Sequence, residues 1–283
     1  MSSVDKQKFS LSQSAVIVGI HLIALYGLIN FYSTSGLIIW FFAHQFFGTL
    51  GSSIGLHRYF SHRSFEGNPV FINFMAAVAT LCFQGGPIFW ASSHRVHHRM
   101  SEKYGDPYDA SKGFWWSHMG WLFFKNPNGY NYLRHLKDVS DLRKNNYFNW
   151  LEINSTYINI LFLVGLYVSC SLLGHAELFY WLGPIRIVSV WHATWLINSY
   201  SHKARFFSKK PIREYRNSIL MCFLIGGDGN HEFHHKYPAV PKHAPGDVHF
   251  DTGFYVLKLL SMLNLVKLRK ASYNQPTDYK QAM

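Results

Sequence analysis

Five stretches of the chain, 15–32, 37–54, 70–90, 155–173 and 178–197, are apolar over about the length that crosses a bilayer, which for a helix is roughly 20 residues. In lipid every backbone polar group must be satisfied within the segment, so runs of this kind predict an α-helical integral membrane protein. The mean hydropathy of −0.03 is low for that class because two polar, basic blocks dilute it, residues 94–150 and everything after His202. No basic segment with a small-residue cleavage site precedes the first run, so that run is expected to be retained. Cys82, Cys170 and Cys222 stand apart among apolar neighbours, a pattern of packing residues rather than of disulfides or thiolate metal sites.

A net charge of +12 raises the question of nucleic acid, but the 27 Lys and Arg are divided between the two polar blocks, with no single recognition helix to carry them. Residues 94–150 hold nine Lys or Arg against five acids, and residues 202–283 hold thirteen, whereas the tips at 33–36 and 174–177 hold none. The positive-inside rule then puts the polar blocks in the cytoplasm.

Seventeen histidines outnumber the fifteen Asp and Glu, and eight of them fall in three groups: His57 and His62; His94, His97 and His98; His231, His234 and His235. In a helix, positions i, i+3 and i+4 are surface neighbours, so each HxxHH group can aim three imidazoles at one point. Imidazole suits iron, copper, zinc and nickel, and affinity order alone does not choose among them.

Ligands of one site must lie on one side of the membrane, and this constrains the topology. A single crossing at 70–90 would separate the first histidine group from the second. That run contains Gln84, Gly85, Gly86 and Pro87, which would leave a broken helix in lipid. It is therefore expected to lie on the membrane surface or beneath the catalytic domain. Four crossings remain, about 15–32, 37–55, 155–173 and 178–200, forming two hairpins. Segments 56–150 and 201–283, and both termini, then share the cytoplasmic side in one domain spanning 1–283. His202 emerges just past the fourth crossing, with Asn198 four residues earlier; ligation and a polar helix end at the interface are equally good readings of this pair.

At these residues the chain resembles the membrane fatty acid desaturases, specifically the delta-9 branch that includes stearoyl-CoA desaturase and bacterial acyl-lipid desaturases. The likeness runs from about 51 to 272 and rests on GLHRYFSHRSF (55–65), HRVHH (94–98), DPYDASKGFWWSHMGW (106–121), WHATWLINSYSH (191–202) and GDGNHEFHHKYP (227–238). The resemblance implies a mushroom-like, all-α fold of four transmembrane helices capped by a helical cytoplasmic domain. It also implies nine di-iron ligands, His57, His62, His94, His97, His98, His202, His231, His234 and His235, with Asn198 holding one iron through a water. The other eight histidines, His118 and His192 among them, have no ligand role in that family. They are expected to pack or to hydrogen-bond around the ligands. Where acyl-CoA desaturases carry Arg-Asp before the second histidine group this chain has Ser92-Ser93, and the Gln84 to Pro87 segment looks more like the acyl-lipid branch. Both features favour a lipid-bound chain over a CoA thioester, with acyl carrier protein also open.

Taking two hydrogens from an unactivated alkyl chain requires a cofactor, here two iron ions with O2 as co-substrate. Each turnover needs two electrons, and the chain has no haem module and no flavin or dinucleotide fingerprint. A separate donor of the ferredoxin or cytochrome b5 type is implied. The basic face would suit such an acidic partner, although an ordinary positive-inside surplus explains it equally well. Gln84, Trp90, Trp115, Trp116, Trp191 and Trp195 are candidate walls for a dry substrate tunnel. The segment 254–268 reads as an amphipathic helix that caps the cytoplasmic domain or lies on the membrane.

The same scaffold is open to hydroxylation, acetylenic bond formation or decarboxylation. A histidine-rich metal transporter is a poorer fit, because the ionisable residues inside the spans, His21, His44, Arg186 and His192, are expected not to align with one another.

Overall fold

The computed structural model describes residues 7–202, 215–244 and 250–269. Among these, the expected helical architecture is present: α1 (Leu11–Asn30), α2 (Thr34–Ser61), α3 (Pro69–Thr80), α4 (Pro87–Met100), α5 (Asn146–Leu172), α6 (178–201), α7 (His231–Lys236) and α8 (Thr252–Met262). The described residues depart from an all-α fold in two isolated bridges, Phe9 with Phe124 and Asn217 with Asn230, and in a small antiparallel pair, β1 (Phe65–Gly67) and β2 (Val266–Leu268), with Glu66 opposite Lys267. It ties the end of segment 254–268 to the chain just past the first histidine group. The two termini, and so the expectation about which side they occupy, lie outside the described residues.

Among the described residues three helices, α1, α2 and α5, are long and apolar enough to cross a membrane. In α5 only 6% of the most apolar window is buried in the protein, so its apolar surface needs lipid or detergent around it. The predicted fourth span is helical throughout as α6 but carries Arg186 and His192, and it falls outside that class on composition. It tolerates them because it packs inside the bundle, where Trp181, Arg186, Ile187 and Val190 are fully buried.

The run 70–90 is broken as expected, into α3 and α4 with a turn between them. Polar groups around that break find partners. Arg186 donates to the carbonyl of Leu81 at 2.7 Å and lies over the Phe47 ring, a cation at the end of α3 where helix carbonyls are left over. Trp191 donates to the carbonyl of Phe83 at 2.9 Å. Gln84 donates to Thr194 on α6 and accepts from the Trp90 indole. Glu152 of α5 accepts the backbone N–H groups of Ile88 and Phe89 at 3.0 and 2.9 Å, capping α4, and receives the Tyr132 hydroxyl.

That cap gives a first prediction. Glu152→Ala leaves two N–H groups at the start of α4 without a partner, and thermal unfolding in detergent should show a loss of about 1–3 kcal/mol. Glu152→Gln retains an acceptor and should lose less; equal stability of both variants and the native chain would show the cap to be idle.

Candidate metal centre

The HxxxxH spacing of His57 and His62 would point the two rings apart in an ordinary α-helix. From Phe46 to Ser61 α2 is wound as a π-helix, and the N–H of His62 bonds to the carbonyl of His57, five residues back. Wider winding brings i and i+5 onto one face. The same device recurs at the end of α6, π-wound over Ile197–Ser201, just before His202.

All nine predicted histidines meet, in two groups. His57, His62, His94, His98 and His234 form one, and His97, His202, His231 and His235 the other; within each, the candidate ligand atoms lie within 4.8 Å of one another. In the first, Nε2 to Nε2 separations run 2.8 Å from His57 to His234, 3.0 Å on to His98, 3.0 Å on to His94 and 2.9 Å on to His62. In the second they are 3.1 Å from His97 to His202, 2.7 Å on to His231 and 3.0 Å on to His235. A ring nitrogen carries one proton or one lone pair, so an Nε2 with two such neighbours cannot hydrogen-bond both. Nitrogens about 2.0–2.1 Å from one ion at right angles would stand roughly 3 Å apart, the spacing found here. His98 and His235 stack across the two groups with centroids 4.2 Å apart, so the pockets adjoin.

Carboxylates behind the rings set the tautomer. His57 Nδ1 lies 2.9 Å from Asp228, His97 Nδ1 is 3.0 Å from both oxygens of Asp106, and His94 Nδ1 is 3.0 Å from the Tyr108 hydroxyl. With the proton of His57 and of His97 held on Nδ1, their Nε2 lone pairs face the pocket. Burial would push Asp228 up, but the neighbouring His57, the Arg58 guanidinium and the His243 hydrogen bond hold it well below the usual carboxylate range. Arg58, itself fully buried, pairs with Asp251 at 2.8 Å and with Asp228 at 3.4 Å.

Burial, and then the nearness of other imidazoles, keeps His62, His94, His98, His202, His231, His234 and His235 well below the ordinary value of 6.5. They stand neutral, as metal ligands must. The unfolded chain takes up protons first as pH falls through 6.5, so stability held in full above that value is lost on acidification. Denaturant midpoints of the metal-free protein should therefore fall between pH 7.5 and pH 5, and metal retention with them; a flat profile would contradict neutral burial.

A cavity of about 640 Å³ runs from this centre between α1, α5 and α6. Trp90, Tyr108 and Asn198 line its inner end; Trp90 stacks on His94 at 4.8 Å. Ile20, Ile23, Leu163 and Trp191 are among its apolar walls. Of the proposed walls, Gln84, Trp90, Trp191 and Trp195 border the cavity, whereas Trp115 and Trp116 do not. Trp115 points outward, 61% exposed, and Trp116 lies against Lys112 and Phe124; adjacency to a histidine in sequence put neither beside the cavity. Asp106, Tyr108, Asp228 and His243 were not singled out by sequence, although the first three lie inside the quoted motifs.

The expectation that His21 and His192 do not align is also corrected: their Nε2 atoms are 3.0 Å apart. Helices α1 and α6 cross there, a contact that no spacing within either run reveals.

Two adjoining polyhistidine pockets beside an apolar-walled cavity fit a membrane-type oxidoreductase with an apolar substrate. The family model for fatty acid desaturases matches residues 14–251, and the chain belongs to that family. It is 36% identical over 239 residues to the sn-2 palmitoyl-lipid 9-desaturase of Nostoc sp. (strain 36), covering 84% of this chain and 82% of the relative. It is 34% identical to the sn-1 stearoyl-lipid 9-desaturase of Synechocystis sp., over 88% and 76% of the two chains. The sn-1 stearoyl-lipid 9-desaturase of Anabaena variabilis is 32% identical, over 94% and 95%.

Proposed function

We propose that the protein is an oxygen-dependent di-iron desaturase that places a cis double bond at the delta-9 position of a saturated acyl chain esterified in a membrane lipid. The observation that carries this reading is the convergence of nine imidazoles beside an apolar-walled cavity of about 640 Å³. With two iron ions in the pockets and O2 as co-substrate, the centre supplies an oxidant equal to an unactivated methylene. The chain's own residues do the rest. Asp106 and Asp228 hold His97 and His57 in one tautomer and Tyr108 orients His94, Asn198 would hold one metal through a water, and the apolar walls orient the chain and exclude solvent.

The lipid carrier is favoured by the names of the three relatives and by the position before the second histidine group. Ser92 is buried against the Tyr130 hydroxyl, and Ser93 lines the cavity with its hydroxyl turned to the Trp90 carbonyl. Neither offers an exposed charge to a CoA nucleotide. In the proposed topology α1, α2, α5 and α6 cross the membrane as two hairpins, and the histidines face the cytoplasm. Exposed Val70 and Phe74 on α3, and Leu259 and Met262 on α8, fit helices that lie along the bilayer surface. The basic cytoplasmic face receives electrons from an acidic donor, a ferredoxin or a cytochrome b5.

Expression in a desaturase-deficient host, with fatty acids analysed separately in phospholipids and in thioesters, tests the proposal. New monounsaturated chains should appear first in the lipid pool. A hydroxylated product without double bonds would overturn desaturation, and label confined to CoA or acyl carrier protein would overturn the carrier.

A further inference from the structure

Three histidines outside the metal centre form one hydrogen-bonded line. His21 Nδ1 lies 2.7 Å from the carbonyl of Ile17, one turn back on α1, and His21 Nε2 lies 3.0 Å from His192 Nε2 on α6. His192 Nδ1 is 2.9 Å from His118 Nε2, and His118 Nδ1 is 3.1 Å from Ser199 Oγ. A carbonyl only accepts, so His21 must donate from Nδ1 and present a lone pair at Nε2. His192 then donates from Nε2 and accepts at Nδ1, and His118 donates from Nε2. One tautomer per ring satisfies the whole line with every imidazole neutral. The two nitrogens of His192 serve different partners, so the line has no common point for an ion. At its other end His118 Nδ1 can only accept, so the single hydroxyl proton of Ser199 is shared between that nitrogen and the carbonyl of Trp195, 3.0 Å away. The line starts on a helix carbonyl and stops at a serine held within α6, which suits a brace rather than a path for protons.

What the brace encloses is Trp195, whose indole borders the cavity. His21 stacks on it with centroids 6.2 Å apart, Trp191 stacks at 5.5 Å, and His192 and His118 meet it edge-on at 5.1 and 5.8 Å. The same helix carries Asn198 one turn later and leads into His202. We propose that the His21–His192–His118–Ser199 brace selects the carbon pair that is oxidised, by fixing the Trp195 indole against the acyl chain in the cavity. Every methylene of a saturated chain is chemically alike, so neighbouring carbons are told apart by wall shape alone. A misplacement of about 1 Å is enough to cost roughly 100-fold in rate, and an indole free to change rotamer would allow displacements of that size. The three histidines and Ser199 act through Trp195 and are positioning residues; this inference rests on the desaturase reading above.

The test compares His192→Leu and His192→Gln in a desaturase-deficient host. It reads the double-bond position by mass spectrometry of derivatised fatty acids, and iron per chain in purified protein. The leucine variant should keep its membrane level and its iron while the ratio of main to neighbouring positional isomers falls at least about tenfold. Glutamine should restore the ratio, since its amide can accept from His118 and donate to His21. If His192→Leu does not accumulate, His21→Leu carries the same expectation, because it removes the ring stacked on Trp195 and leaves the His192 to His118 bond intact. An unchanged isomer ratio in an accumulating variant would overturn the proposal. So would loss of iron in step with loss of product, which would make the line part of the metal site. A native chain that forms no double bond would instead defeat the desaturase reading.

Discussion

Replacing His97 by alanine is expected to lower double-bond formation by at least ~100-fold while leaving the chain in the membrane at its normal level. Among the described residues His97 is one of four imidazoles in the second pocket, its Nε2 3.1 Å from that of His202. Its ring is buried, and both oxygens of Asp106 fix its orientation. Alanine leaves three ligands and a carboxylate facing a void. The long apolar helices α1, α2 and α5 are untouched, so insertion should not change. Iron in purified protein should fall from two per chain toward one, because the five-imidazole pocket keeps every member. His175→Ala is the matched control. That imidazole is exposed near the α5–α6 turn and pairs with Glu177, and its loss should alter neither iron nor product. Two irons and full activity in His97→Ala would remove the metal centre proposed here.

Asp228→Ala should be nearly as damaging without removing any ligand. This carboxylate receives His57 Nδ1 at 2.9 Å, His243 Nδ1 at 3.1 Å and the Ser53 hydroxyl at 2.8 Å. Arg58 would not be stranded, since Asp251 remains at 2.8 Å. What is stranded are the N–H groups of two buried imidazoles, at about 1–3 kcal/mol each. His57 would also be free to turn, and metal affinity in its pocket should drop by about 10–100-fold. The carboxamide introduced by Asp228→Asn offers one acceptor oxygen and a donor that opposes the second imidazole, so this variant should fall between the native chain and alanine. Metal titration of the apoprotein together with thermal unfolding reads both effects. Equal affinity in all three proteins would mean that the carboxylate does not orient His57.

How much of this was legible before the fold was known depends on the range of the physics involved. HRVHH and HEFHH were readable as ligand groups because i, i+3 and i+4 are neighbours on a helix, but the three imidazoles of each do not aim at one point: His94 and His98 join His234 in one pocket, and His231 and His235 join His97 in the other. The break in 70–90 was readable because Gly-Gly-Pro interrupts a helix locally. His57 and His62 were recognised as a pair from spacing and resemblance, but the reason they face one way is the π-winding of α2, which depends on how that helix packs. The tunnel walls divided along the same line. Gln84 and Trp90 flank the break, and Trp191 and Trp195 face it from α6, whereas Trp115 and Trp116 sit in a motif whose own fold turns them elsewhere.

Hydropathy and ligand chemistry are properties of short segments, and from them the chain alone determined its apolar helices, its three histidine groups and the side of the membrane those groups should share. Only the tertiary structure decided which imidazoles join which pocket, that Asp106 and Asp228 stand behind them, that Arg186 closes α3, and that His21 meets His192. Each of those contacts joins different elements of the chain, some separated by more than a hundred residues. A buried polar atom takes whichever partner the packing brings within reach, and no pattern along the sequence records that choice.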